Sequence, residues 1–283
     1  NMTGTLNQNG TSVLRTVFCC GNLHNTSLGA GALPDFSNGS DENTAIGSNA
    51  LQGNIGYQNT AIGDGAMGSN FSGDENTAVG WHALRLNTTG SGNIAIGVNA
   101  ALHVNGSNFA NIHIGNEGSA NDLATVRIVD NYHVKFFVGG VRGVTTASND
   151  AVPVLIDSAG QLGTVNSSRR YKEDIHDMGD ASRGLLRLRP VTFRYRKAFD
   201  DGSKPIQYGL IAEEVAEVYP DLVARSADGQ IEAVRYQLLD VLLLNELQRQ
   251  QTEIQALTQQ NRDLRRRLER LEATKSAGAA TRR

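Results

Sequence analysis

A serine and a lysine five positions apart form the pattern in this chain that could do chemistry. Ser167 and Lys172 lie in the stretch Asn166-Ser-Ser-Arg-Arg-Tyr-Lys172. A serine hydroxyl becomes a nucleophile when a base removes its proton, and a lysine can be that base when burial or a neighbouring cation keeps it uncharged. A spacing of five does not suit one face of a helix, so a turned or extended segment, or two chains, must bring the groups together. An ordinary solvated loop can have the same spacing, and this alternative stays open.

Three neighbours are candidates for supporting roles. Ser168 is a rival nucleophile if the register slips by one residue. Arg170 could hold the loop, or help to keep Lys172 uncharged through like-charge repulsion. His176 could be an alternative base or an exposed histidine at the start of a helix.

The elements that must position this motif belong to a chain whose first and second halves differ in composition. Of the 25 asparagines, 22 precede position 150, and no lysine occurs before Lys135. From Arg169 onward Arg, Glu, Asp and Leu dominate. We therefore expect several segments in series and not one globule. The chain begins at Asn1 without the pattern of a signal peptide, and we expect it to be part of a longer fibre.

Charge and cysteine content exclude several classes of protein. The 26 basic and 29 acidic residues give a net charge of −3, which argues against a nucleic-acid partner. No apolar run reaches the roughly 18 residues that span a bilayer, so we expect no membrane insertion. The two cysteines, Cys19 and Cys20, are adjacent, which excludes a disulfide framework and a spaced thiolate site. We expect no cofactor and no metal.

The first half of the chain repeats a five-residue phrase. Its glycines are separated by 18, 16, 17, 17 and 18 residues. The copies are Asn25-Thr-Ser-Leu-Gly29, Asn43-Thr-Ala-Ile-Gly47, Asn59-Thr-Ala-Ile-Gly63, Asn76-Thr-Ala-Val-Gly80, Asn93-Ile-Ala-Ile-Gly97 and Asn111-Ile-His-Ile-Gly115. The alternation within the phrase, and a second small-apolar step such as Ser48-Asn-Ala-Leu51, predict a β-solenoid or β-roll with two short strands per coil.

A disordered Asn/Gly-rich linker is the alternative for this region. It would not keep an aliphatic residue at one fixed phase, which favours the solenoid. His82, His103 and His113 lack metal-ligand spacing, so we expect them at the surface or between chains. Each coil offers only a few small apolar side chains, so many stacked copies or several chains must share the burial.

The segment after the repeats is β-rich and irregular. Residues 126–129 and 134–138 read as strands, and residues 152–156 and Leu162 read as a strand pair around the turn 157–160. This pattern predicts a β-prism-like stem to which each of three chains gives one face, and a small globular sandwich is the alternative.

The C-terminal segment has a heptad pattern. With Leu247, Ile254, Asn261 and Leu268 at a, the d positions are Leu243, Gln250, Leu257, Leu264 and Leu271. Seven of these nine residues are aliphatic, which predicts a coiled coil. Gln250 and Asn261 would fix its register.

These motifs resemble known families. The repeats are similar to the heads of trimeric autotransporter adhesins and to phage tail-fibre shafts, which are parallel β-rolls in homotrimers. Residues 167–275 resemble the C-terminal intramolecular chaperone of phage tail spikes and tail fibres, of the endosialidase type. The motifs that carry this second resemblance are Ser167, Arg170 and Lys172, then Leu188-Arg-Pro-Val-Thr-Phe-Arg-Tyr195, Tyr208-Gly-Leu-Ile-Ala-Glu-Glu-Val215, Tyr219-Pro-Asp-Leu-Val223, Val234-Arg-Tyr236 and the leucine-rich helix.

The resemblance implies self-cleavage within a homotrimer. Ser167 would attack the carbonyl of Asn166, Lys172 would be the general base, and water would hydrolyse the resulting ester. The chain would then be an autocatalytic serine endopeptidase with a single turnover. One alternative is a permanent trimer cap that does not cleave. Another, a sugar-cleaving spike, is disfavoured because no pair of carboxylates suggests a glycosidase site.

The sequence therefore predicts a mainly β fibrous homotrimer with an α+β chaperone and a long coiled-coil helix. We expect an N-terminal fibre segment (1–24), repeats (25–118), stem (119–166), chaperone (167–240), coiled coil (241–275) and disordered tail (276–283). The expected partners are two further copies of the chain and a cell-surface or glycan receptor. The expected location is a virion tail fibre or a cell surface.

Overall fold

The computed structural model describes residues 4–8, 11–17, 24–33, 40–130, 132–226 and 228–280. The chain divides into two compact units, Asn1–Val144 and Thr145–Arg283. The described structure is mainly β, with a β-solenoid in the first unit and a long helix at the end of the second, as the sequence predicted. None of the helices in the described ranges holds a stretch long and apolar enough to cross a bilayer.

One nine-stranded sheet runs through the first unit. Its strands are β1 (Gly4–Gln8), β2 (Thr11–Val17), β3 (Asn25–Leu28), β4 (Thr44–Ile46), β5 (Thr60–Ile62), β6 (Thr77–Val79), β7 (Ile94–Ile96), β8 (Ile112–Ile114) and β9 (Val126–Ile128). The β1–β2 hairpin pairs antiparallel with β3. From β3 to β9 each strand pairs parallel with the next, so that every coil adds one strand to the sheet.

Small side chains fill the inside of the coils. The middle residue of strands β4 to β8 faces inward, and Ala45, Ala61, Ala78 and Ala95 are fully buried. A second inward step adds a larger side chain to most coils, for example Leu51. Because neighbouring residues of a strand face opposite sides, the residues that flank each alanine lie on the outer face of the sheet.

The prediction of two strands per coil is wrong. The second small-apolar step is a turn, in which Asn49 has a φ of 55° and Leu51 a φ of 52°, far from the values of a strand. Its backbone still bonds from coil to coil, because the Leu51 N–H donates to the Ala66 carbonyl at 3.1 Å. The turn buries the adjacent residues Ala50 and Leu51, and a small residue followed by an aliphatic one in so short a stretch does not separate a turn from a strand.

Buried asparagines satisfy the backbone at the start of each strand. The Asn43 Oδ1 accepts the backbone N–H of Asn59 at 2.9 Å, and the Asn59 Oδ1 accepts that of Asn76 at 3.0 Å. The Asn59 Nδ2 donates to the Gly73 carbonyl at 2.8 Å. The first residue of the repeat phrase thus pairs groups that would otherwise be buried without partners.

A second column of buried asparagines follows the second inward step, three residues after its larger side chain. The Asn70 Nδ2 donates to the Asn54 Oδ1 at 2.6 Å, and the Asn87 Nδ2 donates to the Asn70 Oδ1 at 2.7 Å. In the next coil Val104 takes this position and is also buried. The column therefore ends at Asn87.

The glycine of the phrase lets the coils stack. Gly63 has a φ of 136°, and a Cβ there would lie 2.3 Å from the carbonyl oxygen of Gly80 in the next coil. A side chain would strain the backbone and push the two coils apart.

An ionic group closes the C-terminal end of the solenoid. His113 and Arg127 occupy the inward strand position that is alanine in earlier coils. The Asp122 carboxylate receives two hydrogen bonds from Arg127, both at 2.7 Å, and lies 2.9 Å from the His113 Nε2. The Arg127 guanidinium holds the pKa of Asp122 well below its usual range. The expectation that His113 lies at the surface or between chains is wrong, because its side chain is fully buried.

The strand predicted at residues 134–138 is absent. Within the described residues 132–144 the structure contains no strand, and Val134 and Phe137 are 91% and 86% exposed. A strand needs a hydrogen-bonded neighbouring strand, and none of the strands in the described ranges pairs with this segment. A prism formed across three chains remains a prediction.

The second unit is built from short hairpins and two helices. Its strands are β10 (Leu155–Ile156), β11 (Leu162–Gly163), β12 (Val191–Phe193), β13 (Gln207–Gly209), β14 (Val223–Arg225) and β15 (Ile231–Val234), and its helices are α1 (Ala212–Val218) and α2 (Leu239–Ala280). Single turns of 3₁₀ helix lie at Arg169–Tyr171, Pro220–Leu222 and Tyr236–Leu238, and a longer 3₁₀ segment spans Gly179–Arg187. The predicted strand pair around the turn 157–160 is confirmed as the β10–β11 hairpin.

Helix α2 confirms the predicted C-terminal helix. Its first turns pack on the small core of the unit through Leu242. Farther along, apolar side chains at the heptad positions are more than half exposed, among them Ile254, Leu257 and Leu264. The coiled coil itself stays a prediction.

Candidate functional site

One turn of 3₁₀ helix shapes the serine–lysine motif. The turn spans Arg169–Tyr171, and the Lys172 N–H closes it by donating to the Arg169 carbonyl at 3.1 Å. The backbone is extended at Lys172, with φ −121° and ψ 138°. The segment is therefore turned, which is one of the arrangements that the spacing of five required.

This turn places the Lys172 amine beside the Ser167 hydroxyl. The Lys172 Nζ donates to the Ser167 Oγ at 2.9 Å. If the amine lost its proton, the same contact would let the hydroxyl donate to the nitrogen, which is the first step in activating a serine. Asn166 directly precedes the hydroxyl, and Asn166, Ser167 and Lys172 are all exposed.

The other candidates from the sequence lie outside this contact. The Arg170 guanidinium stacks over the Tyr171 ring, 4.8 Å from its centroid. In the described part of the chain, no hydrogen bond or ion pair joins Arg170, His176 or the Ser168 hydroxyl to the Ser167–Lys172 pair. Arg170 therefore contacts its neighbour in the chain, and its supporting role stays a prediction.

A small core supports the domain that carries the motif. It consists of Val215 from α1, Leu242 from α2, and Leu222 and Val223 from the chain between these helices. Leucine and valine side chains from the neighbouring 3₁₀ segment and strands pack around it. The two sequence motifs within residues 208–223 therefore supply three of the four residues of this core.

Two tyrosines of the motifs have structural roles. The Tyr219 hydroxyl donates to the Ala181 carbonyl at 2.8 Å, and the Tyr236 hydroxyl accepts the backbone N–H of Leu210 at 2.9 Å. A Cβ at Gly209 would lie 2.7 Å from the Tyr236 hydroxyl. The pattern of tyrosines and glycine thus reflects how the hairpins pack.

A buried carboxylate that sequence analysis missed fixes the start of α2. Glu246 accepts a hydrogen bond from the Ser182 hydroxyl at 3.1 Å and pairs with Arg249. These donors, Arg249 first, lower the pKa of Glu246 to about 2. The Asn245 Nδ2 also donates to the Ser182 Oγ at 2.8 Å. The separation of Ser182 and Glu246 by 64 positions hid this cluster from any local pattern.

Among the described residues, His24, Asp41 and Glu42 form a group of possible metal ligands within 4.8 Å of one another. The Asp41 Oδ1 already accepts the backbone N–H groups of His24 and Glu42. This carboxylate therefore has a structural role in holding the first coils together.

Comparisons with known proteins give one match. No curated protein and no solved structure matches the chain. Residues 167–224, which contain the Ser167–Lys172 contact and most of the small core, match the family model described as chaperone of endosialidase, and this confirms over these residues the resemblance that the motifs indicated.

Proposed function

We propose that this chain is a trimeric tail-fibre or adhesin-like protein that cleaves itself between Asn166 and Ser167. Its C-terminal chaperone would drive assembly of the trimer, and its fibre part would bind a cell-surface or glycan receptor. The observation that carries the self-cleavage is the 2.9 Å contact between the Lys172 Nζ and the Ser167 Oγ. Ser167 is the residue directly after the bond to be cut, and the chaperone match begins at the same residue.

The proposed reaction has two steps. The uncharged Lys172 amine takes the proton of the Ser167 hydroxyl, and the Oγ attacks the carbonyl carbon of Asn166. The C–N bond of the Asn166–Ser167 peptide breaks, the proton passes to the leaving Ser167 amine, and an ester joins Asn166 to the Ser167 Oγ. Water then hydrolyses the ester, which gives a carboxylate at Asn166 and restores the hydroxyl.

Assembly would control the base. In the single chain Lys172 is exposed to water. Removing water from an amine favours the neutral form, so packing of further copies around residues 166–172 would switch the pair on. The exposed heptad side chains of α2 offer a route to that packing.

Intact mass under denaturing conditions tests the cleavage. We expect the wild-type chain of 30.3 kDa to give two pieces, residues 1–166 and 167–283. Ser167→Ala removes the nucleophile and Lys172→Ala removes the general base, and each should leave the chain uncut and still trimeric. Loss of a general base typically slows a reaction by about 100-fold or more. Lys172→Arg should also stay uncut, because an arginine keeps the positive charge but does not act as a base at ordinary pH.

The matched control is Ser168→Ala, which removes the neighbouring hydroxyl and should cut normally. A normal product from Ser167→Ala or Lys172→Ala would remove that residue from the mechanism. Hydroxylamine added during processing should trap the ester as a hydroxamate on Asn166.

The solvent exposure of Lys172 also favours a second candidate, a permanent trimer cap that does not cleave. This alternative predicts one full-length mass for freshly made trimer at every pH at which it is folded. The two functions therefore differ in the mass of the trimeric protein.

A further inference from the structure

The only tryptophan of the chain lies on the surface of the solenoid. Trp81 directly follows Gly80, at the corner after strand β6, and is 47% exposed. Tryptophan side chains are highly buried on average, and those that stay at the surface are enriched where another molecule binds. The exposure of Trp81 therefore indicates a binding surface at this corner.

Two neighbouring side chains hold the Trp81 ring in place. The His82 ring stacks on the indole, with the ring centroids 3.7 Å apart and the ring planes at 24°. The Arg85 Nη1 contacts His82 in turn, at 3.1 Å from its Nε2 and 3.3 Å from its Nδ1. Burial, followed by the Arg85 charge, lowers the pKa of His82. The imidazole is therefore uncharged at neutral pH, and the guanidinium meets no like charge there.

The backbone fixes this stack to the coils on both sides. The His82 N–H donates to the Asp64 carbonyl at 3.0 Å, and the Trp81 carbonyl accepts the N–H of Asn99 at 2.9 Å. The His82 ring also lies over Gly65 of the previous coil, where a Cβ would be 2.6 Å from the His82 Cδ2. The indole is thus held before any ligand arrives, and binding would cost little side-chain entropy.

Polar groups flank the open face of the indole. Because His82 covers one face, the exposed area of Trp81 lies on the opposite face and the edges. Asp64 takes the position of Trp81 one coil earlier, about 4.8 Å along the stack, and its side chain is exposed, as is that of Arg85. The carboxylate accepts hydrogen bonds and the guanidinium donates them. We call Asp64, Trp81, His82 and Arg85 the Trp81 platform.

The charges of the Trp81 platform favour an uncharged ligand. Asp64 would repel an anion and Arg85 would repel a cation, so the platform attracts neither over the other. A matching ligand has an apolar face for the indole and hydroxyl groups around that face. A pyranose sugar has both, because its C–H groups carry a small positive charge that the negative face of an aromatic ring attracts. Its hydroxyls can donate to Asp64 and accept from Arg85.

We infer that the Trp81 platform binds a neutral pyranose sugar, with the sugar ring stacked on the open face of Trp81. The inference rests on the receptor part of the proposed function, and it names a glycan as the chemistry of that receptor. It does not depend on self-cleavage. A single sugar ring on an open surface binds weakly, with a Kd on the order of 1 mM, so firm attachment would need several sites at once.

The fluorescence of the single tryptophan tests this site directly. The full chain is titrated with the methyl glycosides of glucose, galactose, mannose and N-acetylglucosamine. Sorbitol is the control ligand, because it has the hydroxyls of a sugar but no ring face. At least one glycoside should move the emission of Trp81 to shorter wavelength and protect it from acrylamide quenching in a saturable way. Sorbitol should change neither.

Variants locate the binding, with saturation-transfer NMR on the same glycoside as the readout. Trp81→Ala should abolish the transfer, whereas Phe71→Ala should keep it, because Phe71 is an exposed aromatic residue of the same unit outside the platform. Asp64→Asn keeps the fluorescent reporter and should weaken binding about fivefold, since a hydrogen bond to a charged acceptor is the stronger one.

The outcomes separate the platform from the rest of the proposed function. Sugar binding that is unchanged in Trp81→Ala and Asp64→Asn would overturn the platform and leave a glycan receptor standing. If no glycoside changes the fluorescence or shows transfer, the platform and the glycan receptor both fall, while self-cleavage is still measured by intact mass. A Trp81 that acrylamide cannot reach in the sugar-free protein would also overturn the platform.

Discussion

At the scale of single residues, one 3₁₀ turn is enough to bring the Ser167 hydroxyl and the Lys172 amine together. The turn at Arg169–Tyr171 shortens the chain enough for the Lys172 Nζ to reach the Ser167 Oγ. Because this contact is already formed in one chain, the proposed self-cleavage would need no movement of the loop to bring the two groups together.

The choice of base can be tested by substitution. His176→Ala should process at the wild-type rate, because among the described residues no hydrogen bond joins His176 to the Ser167–Lys172 pair. Following the intact mass over time measures the rate, and His176→Ala protein that stays uncut would contradict Lys172 as the only base.

How much of the site the sequence could predict depends on the distance between partners. The Ser167–Lys172 pair is local, so type and spacing were enough to nominate it. The Glu246 cluster joins α2 to the 3₁₀ segment Gly179–Arg187, and no pattern in the sequence marks such a long-range pair.

At the scale of elements, each solenoid coil repeats one set of backbone contacts, and the two ends of the solenoid need contacts of their own. The repeat phrase predicted the strand, because inward alanine and outward threonine and isoleucine alternate with period two. It failed for the second step, where residues such as Leu51 adopt a left-handed turn. It also failed for His113, whose buried position depends on Asp122 and Arg127 at the end of the sheet.

Asp122 should therefore stabilise the solenoid. Asp122→Asn weakens the hydrogen bonds to Arg127, whose side chain is 42% exposed and keeps part of its hydration, and we expect the free energy of unfolding to fall by roughly 2 kcal/mol. The chain has a single tryptophan, Trp81, which lies in the solenoid, so tryptophan fluorescence during chemical denaturation follows this unit.

The effect of this variant should depend on pH. Because the pKa of Asp122 is lowered in the folded protein, its stabilisation is present above the pKa of an unfolded aspartate, about 3.9, and is lost as the pH falls below it. The difference from wild type should thus shrink below about pH 4. Glu117→Gln is the matched control, since Glu117 pairs with His103 at the surface and should change stability by less than about 1 kcal/mol. Equal effects of the two variants would mean that burial of the ionic group adds nothing.

At the scale of the whole molecule, folding would begin where contacts are local. Helix α2 forms from neighbouring residues, whereas the solenoid pairs strands about 17 residues apart. Local structure forms faster than long-range sheet pairing. A trimer joined first by α2 would hold three solenoids at high effective concentration while their coils stack.

Polar substitutions in the heptad test this order. Leu257→Gln together with Leu264→Gln removes two apolar layers, and we expect loss of the trimer and, with it, loss of self-cleavage. The matched control is Thr252→Gln together with Arg266→Gln, on exposed positions outside a and d of the same helix, which should keep both. Monomeric protein that cuts as fast as wild type would contradict a site that depends on assembly.

The two asparagine columns set which part of a coil can vary in length. Asn43 and Asn54, Asn59 and Asn70, and Asn76 and Asn87 are each eleven positions apart, whereas the step from the second asparagine of a coil to the first of the next is five positions after Asn54 and six after Asn70 and Asn87. Between Asn43 and Asn93 the variation in the period therefore occurs at one corner. An insertion there would project from the side of the fibre and leave its stacking register intact, so this corner is where natural variants could acquire new recognition loops without redesigning the shaft.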